Sequence, residues 1–175
     1  MFEIRWHGRG GQGSFTGAKL LGVAASLYDE KFAQAFPSFG PERRGAPVLG
    51  FNRISDEKIT DRSELTKCDY IVFLDDTLFD ESVLDDLKSD DGIVVVNTQR
   101  QIEHKNIKCI DATKIALEVL GIPISNTVML GYLASYAKEA VSYQACIDAI
   151  KASMKASIAD KNIEAFKSAY NQGGL

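Results

Sequence analysis

The stretch His7-Gly8-Arg9-Gly10-Gly11-Gln12-Gly13 holds the residue types in this chain best suited to chemistry. Its spacing, Gly8-x-Gly10-x-x-Gly13, fits a dinucleotide-binding fingerprint. Glycines there permit a tight turn and close backbone approach, and a helix beginning just beyond them offers unpaired N–H groups to an anion. Two parts of a nucleotide site are missing. A ribose-binding acid belongs about 20 residues on, at the end of the second strand. The strand read at 32–36 ends instead in Pro37-Ser38, and Asp29-Glu30 come before it. A nucleoside-triphosphate loop also fails, because Ser14-Phe15 stands where Lys-Ser/Thr should follow the last glycine. A turn that packs a helix close to a strand, or to another chain, therefore stands beside a phosphate cradle as a reading.

A second chemistry-bearing stretch runs from Ala35 to Pro47. It holds three of the four prolines, Gly40, Gly45, Phe36, Phe39 and the pair Arg43-Arg44, so it cannot be one regular element. Prolines stiffen it, and the guanidinium groups offer planar, always-charged donors to carboxylate or phosphate. A contact surface is the preferred reading; a surface turn with its phenylalanines tucked into the core is the other. The remaining candidates are few. His7 sits beside the glycine loop and is read as a satisfied structural histidine, while His104 lies in a polar turn. Asp75-Asp76 could hold a metal at a strand end, but helix capping explains them with fewer assumptions. Cys68, Cys109 and Cys146 are scattered and form no C-x-x-C pair, which suits reduced structural thiols rather than a zinc or iron–sulfur site. No catalytic residue and no metal ligand is assigned.

These residues must be positioned by alternating strands and helices. Strands are expected at 2–6, 32–36, 48–54, 69–74, 92–97 and 106–111, and helices at 14–28, 78–88 and 112–120. The last third reads as helical, with Asn126 capping a helix to residue 140, Ser142 the next and Asp160 a short final one. The expected fold is α/β: a three-layer αβα sandwich with a mostly parallel sheet, Rossmann-like, with a helical C-terminal third. The length suits one domain over 1–175, since no linker or repeat divides the chain. A net charge of -4 gives no reason to expect nucleic acid or an anionic membrane as partner. No apolar run is long enough to span a bilayer and the chain begins directly with a strand, so a cytoplasmic location is expected.

Together the two motifs resemble the gamma subunit, or gamma domain, of the pyruvate:ferredoxin (2-oxoacid:acceptor) oxidoreductases. The opening from Ile4 to Gly13 is similar to that family's first signature. Ala33 to Pro37 followed by Phe39 to Pro47 is similar to its second. Arg53-Ile54-Ser55, Arg62-Ser63, Leu117 to Gly121 and Asn126 to Gly131 follow in the family's order, so the likeness spans almost the whole chain. The resemblance implies a non-catalytic subunit of a multi-subunit enzyme that converts a 2-oxoacid and coenzyme A to acyl-CoA and CO2, with electrons passed to ferredoxin or flavodoxin. Thiamine diphosphate would be held by alpha and beta partners, and iron–sulfur clusters by a cysteine-rich delta partner; this chain would bind no cofactor alone. The residues Arg9, Gly10, Gly11, Gln12, Gly13, Arg43 and Arg44 become candidate interface or coenzyme A contacts, docking being preferred. Among substrates, His7-Gly8-Arg9 and Glu42-Arg43-Arg44 look more like the pyruvate or branched-chain types than the 2-oxoglutarate type, and pyruvate is favoured. The competing reading is a free-standing Rossmann-like nucleotide-binding or sensor domain, which should carry the ribose-binding acid that this sequence lacks.

Overall fold

Alternation of side chains along a strand sends successive residues to opposite faces. In β1 (Phe2–Arg9) it divides Ile4 and Trp6, both fully buried, from Arg5 and His7. A computed structural model describes residues 1–38 and 45–174; Phe39 to Arg44, and with them the candidates Arg43 and Arg44, lie outside the described residues. Five further strands follow: β2 (Phe32–Pro37), β3 (Pro47–Ser55), β4 (Tyr70–Phe73), β5 (Ile93–Asn97) and β6 (Ile107–Ile110). They form one sheet in the order β2-β3-β1-β4-β5-β6. The β1–β4, β4–β5 and β5–β6 pairs are parallel, and β3 is antiparallel to both β1 and β2. The unit β1–α1–β2 is thus a split βαβ, in which β3 occupies the place between the two parallel strands.

The helices α1 (Ser14–Val23), α2 (Ala112–Leu120), α3 (Asn126–Tyr136), α4 (Tyr143–Ser153) and α5 (Ala156–Tyr170) contribute to one large core. Ile4, Trp6, Ile54, Val72, Leu74 and Val95 join that core from the sheet. Helix α3 lies at its centre: every residue from Asn126 to Ser135 is buried. The α/β class, the mostly parallel sheet and the helical last third all match the expectation from sequence. Sequence also places the stop of α2 at Gly121 and the start of α4 at Ser142, and the structure adds Asp111 as the cap of α2. Asp111 accepts a hydrogen bond from Lys114 N (2.9 Å), Gly121 closes α2 in the left-handed region (φ 75°), and Ser142 Oγ accepts from Ala145 N (3.2 Å).

The opposite face of the sheet is covered differently. The helix expected at 78–88 is replaced by two 3-10 turns, Asp76–Leu78 and Glu81–Asp86. Asp75 and Asp80 each accept a backbone N–H two residues on, which restarts the chain twice within six residues. Asp85, Asp86, Asp90 and Asp91 would also crowd the negative end of a helix here. The turns still deliver Leu78, Phe79, Val83, Leu84 and Leu87 to a second, smaller core with Phe51, Ile71, Phe73, Val94 and Val96. Three helix boundaries also differ: Ser125 rather than Asn126 stands at the cap of α3, and Asn126 is its first helical residue. Helix α3 stops at Tyr136, because Ala140 N and Val141 N both turn back to Ala137 O. Helix α5 begins at Ala156, with Ile158 N and Ala159 N already bonded to Lys155 O, so Asp160 lies inside it rather than at its cap.

Helices α3 and α5 meet at Gly131, where a Cβ would fall 2.2 Å from Phe166 O. That oxygen is backbone and cannot swing aside. Gly131→Ala is therefore expected to push the two helices apart and cost on the order of 2–3 kcal/mol, the range of an overpacked core. A thermal melt should show the midpoint falling by roughly 5–10 °C; an unchanged midpoint would refute this tight contact.

Candidate functional site

Strand β1 ends against β4 at His7↔Phe73, and the glycine loop begins there. Gly11 and Gly13 both occupy the left-handed region, with φ of 98° and 82°, which is why those positions need glycine. The loop is held by its own side chains. Gln12 Oε1 accepts from Arg9 N (2.7 Å), while Gln12 Nε2 donates to Asp75 Oδ2 (2.9 Å). Arg9 Nε reaches the same carboxylate oxygen (3.2 Å), and Arg9 Nη2 donates to Thr77 Oγ1 (2.7 Å). Asp75, at the end of β4, is thus the anchor of the loop. Its partial burial pushes its carboxyl up, but hydrogen bonds from Thr77 and Gln12 and the Arg9 charge outweigh that and hold it below the ordinary value. The sequence alone offers Asp75, with Asp76, as a helix cap or a metal ligand, and neither reading includes this anchoring role. The signal for its anchoring role was its place directly after the most apolar strand, in the loop next to the glycines.

Five of the seven candidates, Arg9, Gly10, Gly11, Gln12 and Gly13, come together here, and the far end of the Pro-Arg stretch joins them. Gly10 N donates to Ala46 O (2.9 Å), and Arg9 Nη1 donates to Gly45 O (3.2 Å). Beyond the loop, α1 starts with no side-chain cap among the described residues, so no side chain there satisfies its first N–H groups. Asn126, at the start of α3, lies over Gly13: a Cβ there would sit 2.6 Å from Asn126 Nδ2. A cleft of about 440 Å³ opens on the other side of Gln12, lined by Asp75, Asp76, Asn97, Thr98, Arg100 and Asp111 among others. Arg100 Nη2 lies 3.4 Å from Asp76 Oδ2, but three carboxylates outnumber that one cation. Phosphate is disfavoured in this cleft by charge. The outer side of the loop differs, for nothing among the described residues lies within 4 Å of where a Gly11 Cβ would be.

His7 corrects the expectation of a satisfied structural histidine. Its ring stacks on Phe73 with centroids 4.3 Å apart, and its buried Nε2 has no hydrogen-bond partner among the described residues. Burial, with the Arg5 charge adding to it and Asp86 opposing, lowers its pKa to about 4. It is neutral at pH 7. The cysteines are poor ligands and nucleophiles. Burial pushes the Cys68 thiol up to about 11, and raises Cys109 and Cys146 as well. Among the described residues, no group of three or more His, Cys, Asp or Glu side chains is placed to hold a metal ion. No described helix is long and apolar enough to cross a membrane.

Comparison with known proteins gives a consistent result. The family model described as pyruvate ferredoxin/flavodoxin oxidoreductase matches residues 3–172. The chain is 48% identical to the pyruvate synthase subunit PorC of Methanocaldococcus jannaschii, over 98% of this chain and 97% of that one. It is 41% identical to the pyruvate/ketoisovalerate oxidoreductases common subunit gamma of Pyrococcus furiosus, with the same coverage. A crystal structure of the pyruvate oxidoreductase subunit PORC from Thermotoga maritima superposes with a TM-score of 0.83 at 37% identity, covering 97% of this chain and 95% of that one.

The His7 environment gives a pH signature. The unfolded chain takes up this proton near pH 6.5 and the folded chain only near 4, so the unfolded state binds more protons in between. The stability lost as pH falls from 6.5 to 4 is on the order of 3 kcal/mol for this group. His7→Phe keeps the stack on Phe73 and removes the titration. Urea unfolding at pH 7 and pH 4.5 should show wild type losing about 2 kcal/mol more than the variant; equal losses would overturn the assignment.

Proposed function

Because the chain belongs to the pyruvate ferredoxin/flavodoxin oxidoreductase family, we propose that it is the gamma subunit of a multi-subunit oxidoreductase that converts pyruvate and coenzyme A to acetyl-CoA and CO2, with electrons passed to ferredoxin or flavodoxin. The observation that carries this reading is 48% identity to a pyruvate synthase subunit over nearly the full length of both chains. In this reading the alpha, beta and iron–sulfur (delta) partners hold thiamine diphosphate and the clusters and supply the decarboxylation and electron transfer. The three described cysteines are separated and their thiols are raised, which does not fit cluster ligation by this chain. The chain itself is non-catalytic, and the assembly works in the cytoplasm.

Its own residues then have two tasks. The first is docking. A loop locked by Gln12, Arg9 and Asp75 presents a fixed backbone surface, which suits a subunit contact better than a gated active site. The second is contact with coenzyme A, whose phosphates would meet Arg9, the open side of Gly10-Gly11-Gln12-Gly13 and the Arg43-Arg44 run. The acidic cleft at Asp75, Asp76 and Asp111 points such contact to the Gly11 side of the loop. Substrate choice belongs to other chains in this reading. A relative named as a subunit common to pyruvate and ketoisovalerate oxidoreductases is consistent with a gamma chain that does not select between 2-oxoacids.

A pull-down of tagged chain from native extract tests the assembly. Larger and cysteine-rich subunits should co-purify with pyruvate- and coenzyme-A-dependent reduction of a viologen dye, and a lone inactive chain would refute the proposal. Within the intact complex, the paired change Arg43→Ala/Arg44→Ala should raise KM for coenzyme A by about tenfold if these groups touch its phosphates. Loss of assembly with KM unchanged would assign them to docking instead.

A further inference from the structure

Strand β2 is the edge of the sheet, and its outer rim can be read group by group. Ser38 N donates to Leu49 O (2.9 Å), and the register continues as Phe36↔Phe51, Gln34↔Arg53 and Phe32↔Ser55. In an antiparallel pair, alternate residues exchange both backbone bonds with the neighbour and those between face away. The N–H and C=O groups of Phe32, Gln34 and Phe36 therefore face β3, and those of Ala33 and Ala35 face outward. Pro37 also falls on the outward side, where its missing N–H leaves no bond to β3 unmade. Lys31 N is turned back onto Ala25 O (2.9 Å). Two donors and two acceptors, from Ala33 and Ala35, remain on the rim with no partner strand among the described residues.

Edge strands in proteins are usually blunted by charge, proline or a bulge. Between Phe32 and Phe36 there is no charged residue and no proline, and the register to β3 is unbroken. Moreover, Phe32-Ala33-Gln34-Ala35-Phe36 reads the same in both directions. We propose that β2 pairs antiparallel with β2 of a second copy of this chain, about a two-fold axis through Gln34. This register sets Ala33 opposite the partner's Ala35 and Ala35 opposite the partner's Ala33, and all four rim groups of each copy find a bond. Phe32 meets the partner's Phe36, and Gln34 meets the partner's Gln34, at the non-hydrogen-bonded positions where side chains come closest.

The faces suit this pairing. Phe32, Gln34 and Phe36 lie on the sheet face away from α1; Phe36 already stacks on Phe51 at 5.4 Å, whereas Phe32 is 47% exposed. Ala33 and Ala35 lie on the α1 side, where Ala35 packs against Gly22 and leaves no bulk to obstruct a neighbouring strand. Leu27 and Tyr28, in the π-helical turn that precedes β2, are also exposed. A second copy is the occupant because the two-fold register matches each free rim N–H with a free C=O of the other copy and sets only uncharged like residues opposite each other, Phe on Phe, Ala on Ala and Gln on Gln, which is the self-complementarity an isologous contact requires. A strand from a different protein needs no such symmetry. The contact is independent of the oxidoreductase reading.

The test combines sedimentation velocity of the full chain across micromolar concentrations with residue-level amide exchange. A concentration-dependent dimer in which the Ala33 and Ala35 amides become protected is expected. Gln34→Glu places like charges opposite each other on the axis, while Arg53 of the same chain lies beside it in the register; this should weaken the dimer by about tenfold. Mixing Gln34→Glu with Gln34→Lys should restore dimerisation as a heterodimer. A monomer at all concentrations, a dimer with unprotected Ala33 and Ala35 amides, a dimer indifferent to Gln34→Glu, or protection that requires a different subunit would each overturn the proposal.

Discussion

Helix α1 lies against the sheet at a separation that glycine sets, and the placement of the loop before it depends on that contact. A Cβ on Gly17 would meet the Trp6 ring at 2.9 Å, and one on Gly50 would meet Ser14 O at 3.1 Å and the Ala18 Cβ at 3.3 Å. Asn52 locks the approach. It is fully buried, accepts from Trp6 Nε1 (2.9 Å) and donates to Ala18 O (2.8 Å), joining β3, β1 and α1 through one side chain. Loss of such a residue would leave buried polar groups without partners, which costs more than the bonds contribute net. With α1 fixed this closely, the turn between β1 and α1 has little freedom, and Gln12, Arg9 and Asp75 settle what remains.

The two faces of the sheet are stabilised by different physics. The helical face buries apolar side chains from all five helices. Among the described residues the other face has 3-10 turns and irregular chain over it, and charge does more there. Glu3 pairs with Arg53 and Lys88, both at 2.8 Å, and Lys88 reaches Asp69 at 3.0 Å. Arg53 is almost fully buried and also donates to Ser63 O (2.7 Å), tying the 61–63 loop to β3. Burial acts to raise the Glu3 carboxyl, but hydrogen bonds from Lys88 and Arg53 and their charges outweigh it, and the pKa is lowered. A buried ion pair of this kind contributes little net stability when intact, but removing one partner is costly because the other charge is stranded. Its effect is to hold specific loops in place where apolar cover is thin.

Sequence made much of this legible and missed the rest for physical reasons. The six strands were readable because their apolar runs are short and bounded by turn residues, and α2 and α4 because Gly121 and Ser142 are clear helix-boundary residues, whereas the Asp111 cap lay hidden at the end of an expected strand. The 78–88 segment was misread because Leu78, Val83, Leu84 and Leu87 have helix-like spacing, while the competing aspartate turns act only through local geometry. That β3 would insert between β1 and β2 depends on a pairing between distant segments that periodicity does not report. The glycine loop was found from its spacing, but its anchor was not, since Gln12 and Asp75 are 63 residues apart. That His7 Nε2 finds no partner among the described residues was likewise invisible, because satisfaction of a ring nitrogen is a property of the packed surroundings.

The topology also orders events during synthesis. Strand β1 is synthesised before the other five strands, yet its parallel neighbour β4 pairs through Ile4↔Tyr70 and His7↔Phe73, after 66 residues more of chain. Its antiparallel neighbour β3 is complete by Ser55. The nascent N-terminal segment can therefore assemble β2, β3 and β1 under α1 while the other half of the sheet does not yet exist, and Ile71, Val72 and Val94 have nothing to cover before they emerge. During that interval the side of β1 that will receive β4 is itself an open edge. At the ordinary pace of translation this lasts about one to four seconds, which is when the young chain is most exposed to mispairing.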